Sequence, residues 1–259
     1  MELNYKCFGE GYPIVILHGL LGSLDNWQTI AKKLAEASLI SKSYCVYILD
    51  QRNHGKSPHS TTIDYTILSA DLHDFFTQHQ IAKAHLIGHS MGGKVAMNFA
   101  LKYPQMVNKL VLVDIAPTSY NDKHSDVFKA LLAADAASAN TRTEVENILR
   151  KQLDNDETTV QFLMKGLSRA DSGFEWKFNL EALYANYSKI ANGIEESKPY
   201  LGQTLFIKGS KSSYINTSNY NAIANLFPNH ELVEIEGAGH WVHAEKPDVF
   251  LKEINQFLK

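Results

Sequence analysis

Four short apolar runs and two later, more mixed ones punctuate the chain. They are Ile14–Leu17, Cys45–Leu49, Ala84–Ile87, Leu110–Val113, Thr204–Ile207 and Glu231–Ile235. Apolar runs of four or five residues suit strands buried on both faces, as in a parallel sheet covered by helices. Helix-period patterns separate them: Trp27–Ala37, Ile67–His79, Met91–Tyr103 stopped by Pro104, Ile215–Leu226 ahead of Pro228, and Ala244–Leu258. Strand-helix alternation predicts an α/β fold with a doubly wound, mostly parallel sheet.

One stretch breaks the alternation. From 116 to 200 no strand pattern is evident, and Asp122–Ala137, Thr141–Leu153, Asp156–Lys165 and Asn179–Ile190 read as helices. The expected organisation is a core of residues 1–115 and 201–259 with an inserted all-helical cap over 116–200.

Composition narrows the function classes. A 259-residue chain with 44% hydrophobic and 20% charged residues is an ordinary globular protein, and a net charge of -3 favours neither nucleic acid nor an anionic membrane as partner. The N-terminus lacks a basic n-region and an apolar h-region, and no apolar run approaches the ~18 residues of a membrane span. This predicts a cytoplasmic protein without membrane insertion, and both a monomer and a homodimer are compatible with it. Cys7 and Cys45 lie in apolar stretches and read as two reduced, buried thiols. No metal-ligand spacing and no phosphate-cradling glycine loop is present, so neither metal nor cofactor is expected.

The chemistry concentrates at Gly88-His89-Ser90-Met91-Gly92. Gly-x-Ser-x-Gly alone is a weak signal, but here a strand leads in and a helix leads out. That context puts Ser90 on a tight strand-to-helix turn as a candidate nucleophile. Gly88 and Gly92 are expected where a Cβ would clash. A tetrahedral oxyanion needs fixed donors. The N–H groups of Met91 and of Leu20, in His18-Gly19-Leu20-Leu21-Gly22, are the candidates. His18 is read as a structural residue of that loop. Among eleven histidines, His240 in Gly237-Ala238-Gly239-His240-Trp241 follows the last strand, and is the candidate base. His243 is expected to pack at the start of the final helix, and His89 to point away from the nucleophile.

These motifs resemble the α/β-hydrolase superfamily over nearly the whole chain. Many of its members carry an acid in a Gly-x-x-Asp segment after the strand at Thr204–Ile207. Here that segment is Gly209-Ser210-Lys211-Ser212, and a serine cannot carry the charge that stabilises an imidazolium. The neighbouring strand ends in Asp114-Ile115-Ala116-Pro117. Adjacent strands are only about 4.8 Å apart, so Asp114 is the candidate acid and Ser212→Ala is expected to change little. Asp50 is read as a structural loop acid. The Asp-Ile-Ala-Pro stretch, Arg52-Asn53-His54-Gly55 and Trp176-Lys177-Phe178-Asn179-Leu180 are similar to the YbfF-type esterases, in which the acid stands at the position of Asp114.

That resemblance implies a serine hydrolase acting on short to medium acyl esters and on acyl-CoA thioesters. Leu21, Trp27, His89, Phe128, Trp176 and Trp241 are the candidate substrate contacts. Dehalogenation and epoxide opening need an aspartate nucleophile, which Ser90 is not. Perhydrolysis and lactone hydrolysis would use the same three residues. A catalytically silent ligand-binding protein is the reading from a different class.

Overall fold

A computed structural model describes residues 1–37, 43–120, 124–196 and 198–259. Seven strands form one sheet in the order β1-β3-β2-β4-β5-β8-β9. They are β1 (Tyr5–Phe8), β2 (Tyr12–Leu17), β3 (Tyr44–Leu49), β4 (Ala84–His89), β5 (Val107–Val113), β8 (Thr204–Gly209) and β9 (His230–Ile235). β1 is antiparallel to β3, and the other pairs are parallel. All six expected strands are present. β1 escaped the pattern because it is an edge strand exposed along most of its length.

The pleat sends alternate residues to two separate cores. Val15, Leu17, Leu86, Leu110, Leu112 and Phe206 face one side. Helices α2 (Tyr65–Gln78) and α3 (Met91–Lys102) bury Leu72, Phe75, Val95 and Phe99 against them. Ile14, Ile16, Val111, Val113, Leu205 and Ile207 face the other side. There α1 (Gln28–Ala37) and α11 (Pro247–Leu258) contribute Ile30, Leu34, Phe250 and Ile254. Helices on both faces explain why the strands are apolar on both faces.

Between β5 and β8 lie α4 (Ser125–Ala133), α5 (Arg142–Gln152), α6 (Glu157–Lys165), α7 (Leu180–Ala185) and α8 (Tyr187–Ala191). The start of the helix expected at Asp122 lies outside the described residues. The insert differs from an all-helical one by a two-stranded hairpin, β6 (Leu167–Arg169) with β7 (Phe174–Trp176). Three-residue strands carry too little alternation to stand out. The helix expected over Asn179–Ile190 breaks at Asn186, whose side chain donates to the carbonyls of Thr61 and Ala182. After β8 come α9 (Tyr220–Leu226), β9 and the short α10 (Val242–Glu245); Lys246 separates α10 from α11, which opens on Pro247.

The cysteines correct an expectation. Cys7 and Cys45 are joined in a disulfide across β1 and β3, with Cα atoms 6.4 Å apart. Cys7 is exposed and Cys45 half-buried. With β1 unrecognised, nothing in the sequence brought the two together.

Candidate active site

β4 ends at His89, and the chain turns straight into α3. Ser90 between them has φ 51 and ψ -119, a strained left-handed turn that L-residues rarely adopt. The turn is crowded as expected: a Cβ on Gly88 would sit 2.3 Å from the Gly92 carbonyl oxygen, and one on Gly92 would sit 2.4 Å from the His18 oxygen. Gly92 therefore lets α3 lie directly against the His18–Gly22 loop. We predict that Gly92→Ala pushes that loop away and lowers kcat about 10²-fold, the cost of a displacement near 1 Å. Wild-type turnover by this variant would contradict the packing argument.

The loop carrying Leu20 is held by two histidines. Gln51 donates its backbone N–H to His18 Nε2 at 3.1 Å, and His18 Nδ1 bonds the Gly19 carbonyl at 2.8 Å. Leu21, at φ 62, donates its N–H to His54 Nε2 at 3.1 Å, while His54 Nδ1 bonds the Arg52 carbonyl. Both rings accept at Nε2, so both are neutral with the proton on Nδ1. His18 is thus a loop-holding residue, as expected. Asp50 has the structural role expected of it, accepting from Asn4 Nδ2 at 2.6 Å and from the N–H groups of Leu24 and Lys56. Two sequence motifs meet here as well: Asn179 donates its N–H to the Asn53 carbonyl, and His54 bridges to Phe178. The cap is thereby anchored to the segment that supports the loop.

Burial sets the charge of these histidines. It pushes His18 down to about 4, His54 and His89 to about 3, and His243 well below the ordinary value of 6.5. The unfolded chain therefore binds protons that the folded chain refuses once the pH drops below 6.5. Their stabilising contribution is complete above 6.5 and is lost as the pH falls towards 4. Each such group removes about 1.4 kcal/mol per pH unit in that window. Thermal melts should show Tm dropping steeply between pH 6.5 and 5, above the range where carboxylates dominate. A flat Tm over that interval would contradict neutral burial.

Asp114 follows β5 at φ 50 and is fully buried. Register explains its reach. Val113 pairs with His89 on one side and with Ile207 on the other, so the ends of β4, β5 and β8 are level. Asp114 Oδ1 accepts the Gly209 N–H at 3.2 Å, and Oδ2 lies 2.7 Å from His240 Nδ1. Ser212 sits beside this carboxylate, and its hydroxyl donates to Asp114 Oδ2. Tyr214 stacks on the His240 ring at 4.0 Å between centroids and 16° between planes. No sequence signal singled out Tyr214. His89 Nε2 bonds the His240 carbonyl at 2.9 Å.

A cavity of about 230 Å³ opens over this group. Ser90, His240, Gly19, Leu20, Leu21, His89 and Trp241 line it, with Val127, Phe162 and Leu163 from the cap. Three expected substrate contacts are elsewhere. Trp27 is buried on the opposite face of the sheet, stacked on His243 at 4.0 Å. Phe128 is fully buried inside the cap against Tyr184 and Tyr187. Trp176 stacks on Phe178 and lines a separate groove beside Asp25 and Lys177. Among the described residues no group of three His, Cys, Asp or Glu side chains is disposed to hold a metal ion. None of their helices is long and apolar enough to cross a membrane.

A strained serine turn, a carboxylate-paired histidine after the last strand and a helical insert between β5 and β8 sit on one mostly parallel sheet. The model of the alpha/beta hydrolase fold family matches residues 12–247. The chain belongs to this family. Among its relatives, Esterase YbfF of Escherichia coli is 39% identical over 95% of this chain and 92% of its own length. The sn-1-specific diacylglycerol lipase ABHD11 of Danio rerio is 38% identical, over 100% and 83% respectively. The solved structure of a marine microorganism esterase superposes with a TM-score of 0.93 at 38% identity, covering 99% of both chains. The similarity of this alpha/beta hydrolase to the YbfF type thus extends well beyond its motifs.

Proposed function

We propose that the protein is a serine hydrolase that cleaves carboxylic esters of short to medium acyl groups, and acyl-CoA thioesters, through an acyl-enzyme. The observation that carries this reading is the 2.7 Å bond between His240 Nδ1 and Asp114 Oδ2, at the edge of a cavity that Ser90 and His240 both line. With its Nδ1–H donated to the carboxylate, His240 keeps Nε2 as the basic nitrogen.

Ser90 Oγ attacks the carbonyl carbon while Nε2 takes its proton. The carbonyl oxygen becomes an oxyanion facing the N–H groups of Leu20 and Met91. Met91 is the first residue of α3, so its N–H has no intrahelical acceptor, and the helix dipole favours the negative charge. The intermediate collapses as the bond to the leaving oxygen or sulfur breaks, and the imidazolium returns the proton to that atom. Water then repeats the sequence, releasing the acid and restoring Ser90.

Hydrolysis of p-nitrophenyl esters and acyl-CoA substrates tests this reading. Release of p-nitrophenol or free CoA in proportion to enzyme is expected. A folded protein that turns over none of them would favour the silent ligand-binding alternative.

A further inference from the structure

A second, much smaller cavity of about 20 Å³ also reaches Ser90. Ser90, Leu20, His124 and Tyr214 line both spaces, so the nucleophile stands where they meet. The flanking residues differ. His240 lines only the larger cavity, and Met91 only the smaller.

Reaction geometry assigns the two sides. Four groups surround the tetrahedral carbon. Ser90 Oγ is one, and the oxyanion facing Leu20 and Met91 is the second. The leaving atom must lie against His240, because that ring gives it a proton as its bond to carbon breaks. The remaining group, the acyl substituent, points to the side without the histidine. We infer that the smaller cavity receives the acyl substituent and limits it to about one methyl group, while the larger apolar cavity receives the leaving alcohol or thiol. This rests on the serine-hydrolase reading and narrows its substrate class to acetyl esters of bulky apolar alcohols or thiols.

The walls support a neutral occupant of that size. A space of 20 Å³ holds about one water-sized group. The Tyr65 hydroxyl donates to the Ile190 carbonyl at 2.5 Å, and the Tyr120 hydroxyl donates to the Tyr214 carbonyl at 2.6 Å. The Tyr187 hydroxyl bonds His124 Nδ1 at 3.0 Å. The Lys94 ammonium donates to the carbonyls of Ala191 and Asn192 and lies 4.8 Å from the Tyr120 ring centroid. These polar groups are directed at protein partners, which leaves ring faces and the aliphatic Ile190 for the ligand.

Two isomeric esters separate the sides without changing lipophilicity. Octyl acetate puts the long chain on the alcohol, and ethyl octanoate puts it on the acyl group. We expect kcat/KM for octyl acetate to exceed that for ethyl octanoate about 100-fold, the cost of forcing extra methylenes into so small a space. Ile190→Ala should raise kcat/KM for ethyl butanoate relative to ethyl acetate about tenfold, and Ile190→Val should do so by less. Equal rates for the isomers, or preference for ethyl octanoate, would overturn the assignment while leaving the hydrolase reading intact. A protein that cleaves neither ester nor any p-nitrophenyl ester would overturn both.

Discussion

Replacing Ser90 by alanine is expected to lower kcat about 10⁶-fold, the scale on which loss of a serine nucleophile acts when its partners remain. Fold and stability should hardly change. The Ser90 side chain makes no capping bond to α3, and alanine meets the same strain at φ 51 as serine does. Circular dichroism and Tm should therefore match wild type while ester turnover disappears. A variant retaining a hundredth of wild-type kcat would mean that another group attacks the ester.

Asp114→Asn comes next in size, with an expected fall in kcat of about 10⁴-fold. The amide preserves shape, but it cannot carry the charge that stabilises the His240 imidazolium. It can also donate to the ring, which favours the tautomer with the wrong nitrogen protonated. Ser212→Ala provides the contrast. The sequence alone implied little effect, yet the Ser212 hydroxyl donates to the same carboxylate oxygen that meets His240. A hydrogen bond to a charged group contributes about 1.5–3 kcal/mol, so a loss of roughly tenfold or more is expected, still far below that of Asp114→Asn. Equal losses for the two variants would transfer the acid's role from the carboxylate to a shared network. Steady-state kcat with a p-nitrophenyl ester distinguishes these outcomes.

The sequence was most informative where a physical requirement left few choices. Strands covered by helices on both faces are apolar along most of their length, which made β2 to β5 and β8 readable, while the edge strand β9 showed only through Leu232, Val233 and Ile235. β1 has one face and an edge in solvent, so its residues carried no such constraint. The Ser90 turn was legible because the motif's glycines stand where side chains would collide with backbone. The pairing of Asp114 with His240 was legible from strand adjacency, since a carboxylate can reach a histidine from a neighbouring strand end.

Residue type told much less about the cavity. Trp27, Phe128 and Trp176 were expected at the substrate because they are large and apolar. Such residues also fill cores, and only the three-dimensional packing distinguishes a core face from a cavity wall. Phe162 and Leu163 reach the cavity from α6, whereas Phe128 of α4 turns into the cap. The pairing of Tyr214 with His240 joins segments far apart in the chain and depends on how the loop after β8 folds back.

Covalent capture of the nucleophile tests the central claim most directly. The protein should be incubated with a fluorophosphonate, which phosphonylates activated serines, then digested and its adduct located by mass spectrometry. A single adduct on Ser90, absent from Ser90→Ala and strongly slowed in His240→Ala, is the predicted result. A folded wild-type protein that takes no label at Ser90, or takes it on a different serine, would contradict Ser90 as the nucleophile.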